Sequence, residues 1–269
     1  MEVLNELGPE VDHLLHSLGT LTTSGASYGA TEFVFTTYIF WMLVATVLLL
    51  AIVFAGKSKL AIVPVNRLSN GVESLTEFVR TSVAGEILGP VDGKKYFPFI
   101  GSIFFFILVN NIVGLIPGCK PGTGTMGVTV ALSTSVFIFF NAVGIKNQGA
   151  LGYIKSFAPH GVPFPINLIV WAIEVFSAVL RIFTLAVRLF ANMYAGHIIL
   201  GIFAILTTLF AQGAIAEFTT ANLVGALPSF GWLLLMIAMY MLELLVAFVQ
   251  AYVFTMLTTV YISLAAHAH

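Results

Sequence analysis

The chain has 269 residues, of which 59% are apolar and only 9% charged, whereas a water-soluble domain carries about 25% charged residues. Its formal net charge of −1 gives no electrostatic reason to bind nucleic acid, and its single cysteine, Cys119, excludes an internal disulfide and a cysteine-rich metal site. The composition predicts an integral membrane protein.

The opening stretch MEVLNELGPEVDHLLHSLG is acidic and has no basic leader, so residues 1–33 are expected to be an N-terminal segment rather than a signal peptide. Residues 34–55, VFTTYIFWMLVATVLLLAIVFA, form the first apolar stretch and are long enough to cross a bilayer core as a helix. Lys57, Lys59 and Arg67 follow it, while the first 56 residues contain no Lys or Arg. The positive-inside rule therefore places the N-terminus outside. In residues 66–88, Leu68, Val72, Leu75, Val79, Val83 and Ile87 recur every three or four positions, with Glu73, Glu77, Arg80 and Glu86 between them. That period predicts an amphipathic helix, lying at the membrane surface or covering other protein.

Residues 98–145 predict a transmembrane helical hairpin: 98–117 run outward, GCKPGTGTMG turns, and 128–145 return. Lys94, Lys95, Lys146 and Lys155 then fall inside, and Lys120 falls outside. Residues 164–266 contain two much longer apolar runs, 166–211 and 230–266, which as helices would measure about 69 Å and 55 Å. A hydrocarbon core is only about 30 Å thick. Each run must be broken, for which Gly196 and Gly201 offer places, or strongly tilted. The absence of proline favours two long tilted helices forming a hairpin with the C-terminus inside. The expected fold is an all-α polytopic membrane protein of about five membrane-embedded helices plus one surface amphipathic helix. No internal repeat is visible, which weighs against a transporter built from two related halves.

Charge inside the long hairpin is sparse, and ionisable groups at membrane depth face protein or water because lipid makes them costly. Glu174, Arg181 and Arg188 are seven apart and drift only about 20° per step, so they share a face, with Asn192 on the same stripe. His197 lies about half a turn away from Arg188 around the axis. On the last run Tyr240, Glu243 and Gln250 share a face. Glu174 either neutralises Arg181 or carries protons. Arg188 has no acid three or four positions away, so its partner lies elsewhere, quite naturally on another chain. His197 and Glu243 form either a proton relay or a structural pair. Gln250 either bonds across the hairpin or takes part in the chemistry. Asn110 and Asn111 either line a water path or tie helices together. No metal, nucleophile or phosphate-loop motif is present; GTGTMG lacks the spacing and context of a nucleotide loop.

LAVRLFANMYAGH (185–197), ELLVAFVQAYVFTMLTTVYISLA (243–265), YFPFIGSIFFFILVNNIVGLIPG (96–118) and FPINLIVWAIEVFSAVLRIF (164–183) resemble segments of subunit a of the F-type ATP synthases. The resemblance covers roughly residues 33–265. It implies a non-catalytic subunit of a proton-translocating complex, without cofactor or metal. It makes Arg188 the essential arginine facing the carboxylates of a rotating c-ring. His197, Glu243 and Gln250 take positions in the outer half-channel, and Glu174 takes one in the inner. Asn192, Arg181, Tyr240 and Asn111 become supporting polar residues. The acid that the family carries in the second span is Gly114 here, and the His197/Glu243 arrangement is that of mitochondrial-type members, reversed from some bacterial ones. The implied partners are the c-ring proteolipid subunits, peripheral-stalk b subunits and the lipid of a bacterial plasma membrane or an organelle's inner membrane. A cation–proton antiporter or other secondary transporter would also need intramembrane Arg, His and Glu. A structural subunit of a respiratory complex would not need an unpaired Arg188.

Overall fold

Lipid offers a backbone no hydrogen-bond partner, so a chain this apolar satisfies its amides within helices. The computed structural model describes residues 37–57, 67–116, 118–149, 152–153, 166–216, 225 and 227–267. Within these the elements are α1 (Thr37–Lys57), α2 (Arg67–Phe78), a π-helical stretch (Val79–Gly85), α3 (Glu86–Gly114), a 3-10 turn (Gly122–Gly124), α4 (Met126–Gln148), α5 (Ile166–Ala216) and α6 (Leu227–His267). The described residues contain no strand. Four helical stretches are long and apolar enough to cross a membrane: Asn70–Gly114, Met126–Gln148, Ile166–Gln212 and Leu227–Ala266; α1 contributes the shorter Tyr38–Phe54. Residues 1–33, Lys59, Lys155 and the link between α5 and α6 around residues 217–224 lie outside the described residues.

The amphipathic stretch and the second span join at an elbow. Gly89 has φ 77° and ψ 177°, a conformation open essentially to glycine alone. Pro90 follows, with no N–H to give the preceding turn and a ring that excludes helical geometry from the residue before it. Beyond the elbow the chain doubles back, since a Cβ at Gly93 would stand 3.0 Å from the Ala84 carbonyl oxygen. Val79, Val83, Ala84 and Leu88 are buried in one core with Ile100, Phe104 and Ile107 of α3 and Phe254 and Ile262 of α6. Glu73, Glu77, Arg80 and Glu86 remain exposed. The apolar face of this stretch therefore covers protein, the second of the two uses its period allowed. Ile87 lies at the helix end before the elbow, and its carbonyl accepts a hydrogen bond from Ser263 Oγ of α6 at 3.4 Å, partnering a group of the kind that helix ends leave open. Aromatic rings complete the packing: Phe99 stacks on Phe139 of α4 at 3.7 Å, and Phe104 and Phe78 both meet Phe248 of α6.

α5 and α6 run 51 and 41 residues, about 77 Å and 62 Å at 1.5 Å per residue. The positive-φ residues among those described are Gly89, Gly118 and Gly149, so neither Gly196 nor Gly201 breaks α5. Helices of this length fit a hydrocarbon core of about 30 Å only by inclining steeply. They pack on each other, and α6 also packs along α3. Their outer surfaces are bare: 12% and 11% of their most apolar stretches are buried, against 56% and 33% for the two preceding spans. The long hairpin is thus a wall of the bundle, and lipid or another chain must cover it.

The elbow yields a test. Gly89→Ala forces a side chain into the left-handed region and should cost about 1–3 kcal/mol, lowering the melting temperature in detergent. Gly71→Ala, on an exposed helical position with open space around it, should hold or raise it by up to the equivalent of about 1 kcal/mol. Equal melting temperatures for the two variants would show that the elbow carries no backbone constraint.

Candidate functional site

The seam between α5 and α6 is organised around one carboxylate. Glu243 is only 4% exposed, and a Cβ built on Gly196 would overlap its carboxyl group. A residue larger than glycine at 196 would require the carboxylate, the end of a flexible side chain, to move aside. Asn111 of α3, Asn192 of α5 and Gln250 of α6 line the same pocket, which has no room for a water molecule. Asn192 Nδ2 donates to Gln250 Oε1 at 2.8 Å across the hairpin. Thr123 Oγ1 donates to Asn111 Oδ1 at 2.7 Å, both residues being fully buried. Asn111 Nδ2 is left without a hydrogen-bond partner among the described residues.

His197 faces elsewhere. It lines a cavity of about 210 Å³ together with Tyr240, Gly114 and Gly201, and its Nε2 is buried with no hydrogen-bond partner among the described residues. No hydrogen bond or ion pair joins His197 to Glu243. The two are neighbours through Gly196, one on each side of it, rather than a bonded pair. Gly114 leaves this cavity without an acid, and its own surroundings are tight: a Cβ there would overlap Pro121. The cavity is roomy enough to hold water and offers polar groups to bind it.

The positive stripe divides in two. Arg181 Nη2 lies 2.8 Å from Glu174 Oε1, with the side chains 24% and 43% exposed. Its guanidinium also stands 5.3 Å from the centre of the Tyr261 ring on α6, within cation–π range. Arg188 is exposed and makes no ion pair or hydrogen bond among the described residues. Arg181 is therefore neutralised on its own helix and Arg188 is not.

Sequence reading placed Glu243 and Gln250 on one face of the last helix and brought Asn111 and Asn192 forward on others; the fold gathers all four around one pocket. That reading passed over Thr123 and Ser133, and took Gly196 only as a place where the helix could break. Thr123 sits in a Gly-rich turn, where a hydroxyl reads as turn chemistry. Ser133 Oγ is buried on α4 with no partner among the described residues, and a single Ser in an apolar helix gives no signal. Gly196 invited a reading of flexibility, and its use is room for a neighbour's side chain.

A family model described as ATP synthase A chain matches residues 39–263. Among curated relatives, ATP synthase subunit a of Rhodopseudomonas palustris (strain BisB18) is 41% identical over 242 residues, 89% of this chain and 92% of that protein. ATP synthase subunit a of Zymomonas mobilis subsp. mobilis is 37% identical over 266 residues, 95% and 97% of the two chains. That of Rhodococcus erythropolis is 40% identical over 207 residues, 75% and 72%.

Gly196→Ala should force the Glu243 carboxylate out of its seat, an overpacking cost of about 1–3 kcal/mol read as a lower melting temperature in detergent. Shortening the acid in that background, by Glu243→Asp, withdraws the carboxylate by one methylene and should recover part of the loss. A Gly196→Ala variant that melts with the parent would remove this contact from the seam.

Proposed function

Because the chain belongs to the ATP synthase A chain family, we propose that it is the proton-conducting stator subunit of the membrane sector of an F-type ATP synthase. In this reading it serves two offset half-channels that deliver protons to, and remove them from, the carboxylates of a rotating c-ring. Membership of this family, with four apolar helices of spanning length, makes it a membrane subunit of the complex and sets the secondary-transporter alternative aside. The observation that carries the finer reading is Arg188, exposed on α5 and unpaired among the described residues. An arginine facing lipid at the centre of a membrane costs about 2.5–3.5 kcal/mol on insertion scales. A carboxylate on a neighbouring chain relieves that cost, and the bare wall formed by α5 and α6 gives such a chain a surface to pass.

Protons enter from the outer side through the water-sized space beside His197 and Tyr240. They pass to the buried Glu243, Gln250 and Asn111 and to Asn192 at the exposed edge of the same cluster. From there a proton neutralises a ring carboxylate, which then turns into lipid without a charge. When that carboxylate returns to Arg188, the fixed positive charge favours its ionisation, and the proton leaves by the inner side past Glu174. Arginine suits the post because it keeps its own proton at any working pH, where lysine does not. The same charge opposes a proton crossing straight from one half-channel to the other. Each proton falling through 100 mV yields about 2.3 kcal/mol, so several must pass for each ATP made.

The partners in this reading are the c-ring proteolipid subunits and the b subunits of the peripheral stalk. Its place is the inner (plasma) membrane of a bacterium, consistent with the bacterial relatives, with the N-terminus outside and the C-terminus inside.

Arg188→Ala should leave the complex assembled and reduce ATP-driven proton pumping in inverted membrane vesicles to the level of membranes lacking the complex. Arg188→Lys should not restore it. Normal pumping by the alanine variant would defeat the mechanism.

A further inference from the structure

Thr123 lies in the 3-10 turn between α3 and α4, far in sequence from the hairpin residues. The turn is pressed tightly into the bundle: a Cβ on Gly122 would stand 2.8 Å from Met42 Cβ of α1 and 3.0 Å from Asn110 Oδ1 of α3. Thr123 itself is 0% exposed and donates its hydroxyl to Asn111 Oδ1 at 2.7 Å. The hydroxyl makes no other hydrogen bond among the described residues, so this is the one place its proton goes. A buried amide has two ends to satisfy. With the oxygen of Asn111 committed to Thr123, the nitrogen is the end left over, buried and without a partner among the described residues. Asn111 and Glu243 line the same pocket, with no space for a water between them, and no hydrogen bond or ion pair of Glu243 is recorded among the described residues. An N–H donor lacking an acceptor thus shares a dry pocket with a carboxylate lacking a donor.

We propose that Thr123 is a positioning residue for Glu243: its hydroxyl fixes which way the Asn111 amide faces, holding the nitrogen toward the carboxylate. Were the amide reversed, its nitrogen would donate to the Thr123 oxygen instead, but its own oxygen would confront the carboxylate and the Thr123 proton would lose its acceptor inside the protein, where an unmade hydrogen bond costs about 1–3 kcal/mol. The threonine therefore selects one orientation of Asn111, and that orientation offers the acid a donor when it is ionised. Neither Thr123 nor Asn111 exchanges a proton with the path; the threonine acts through the amide, and the amide acts on the acid. The inference rests on the proton path proposed above, and specifies what prepares its buried acid.

The test uses the assembled complex in inverted membrane vesicles. Thr123→Val keeps the shape and removes the hydroxyl. It should leave the amount of assembled complex unchanged and lower ATP-driven proton pumping about fivefold, which is about 1 kcal/mol at 1.36 kcal/mol per decade. Thr123→Ser keeps the hydroxyl and should restore pumping. In an Asn111→Leu background, Thr123→Val should cause no further loss. Unchanged pumping in Thr123→Val, failure of Thr123→Ser to restore it, or losses that multiply in the double variant would each overturn the proposal. If Thr123→Val assembles poorly, Thr123→Ala is read in its place, and poor assembly of both would make the hydroxyl a folding determinant and overturn the proposal. Glu243→Gln run beside these variants keeps the two readings apart. Normal pumping there defeats the proton path itself, whereas lost pumping there with normal pumping in Thr123→Val defeats only the role of the threonine.

Discussion

The Glu243 carboxylate lies against the bare backbone of Gly196 on the seam between α5 and α6, and the positions of the other polar groups of α5 can be read from that point. At about 100° per residue, fixing Gly196 on the seam puts Asn192 about 40° to one side, close enough to reach Gln250. Arg188 falls about 80° to that same side, past the edge of the seam and onto the open wall. His197 falls about 100° to the other side, into the cavity with Tyr240. One small residue thus separates the groups into two flanks. The histidine serves one compartment of the seam, the arginine faces outward from the other, and the acid lies between them. A larger residue at 196 would displace the carboxylate that lies between the two flanks.

The membrane also explains how these groups are treated. In water an exposed ion pair such as Glu174 with Arg181 contributes little. Beside lipid it removes a charge that would otherwise need a partner from another chain. Pairing Arg181 within α5, and supporting it with the Tyr261 ring, leaves Arg188 as the uncompensated member of the stripe. Of the acids on the described part of the long hairpin, Glu174 holds Arg181 and Glu243 fills the seam, and neither pairs with Arg188.

Much of this was legible before any coordinates. A bilayer imposes length and polarity so strongly that the spanning stretches and the excess length of the last two helices follow from residue counts. The want of a local acid for Arg188 is also visible in the spacing. What was not legible turns on the identity of the neighbour. The period of residues 66–88 is the same whether its apolar face meets lipid or protein, so sequence left both uses open, and burial of Val79, Val83 and Leu88 decided between them. Gly196 and Gly201 look like permission to bend, because a missing side chain does not say whether the backbone or a partner uses the space. Thr123 was hidden in a turn whose glycines and proline account for its conformation without any reference to Asn111. His197 and Glu243 were expected as a relay or a structural pair; the fold sets Glu243 against Gly196, and the one-residue step to His197 turns that side chain about 100° away around α5.

The elbow at Gly89 has a bearing on how the chain is made. Its buried side is closed by Phe254, Ile262 and the hydroxyl of Ser263, residues that leave the ribosome some 165 positions after it. Over that interval the last helix does not yet exist to cover the elbow. An apolar stripe with charges opposite is stable meanwhile at the bilayer's headgroup layer, which is where helices of that pattern rest. The amphipathic stretch can therefore wait on the membrane during synthesis and dock onto protein once the final helix arrives.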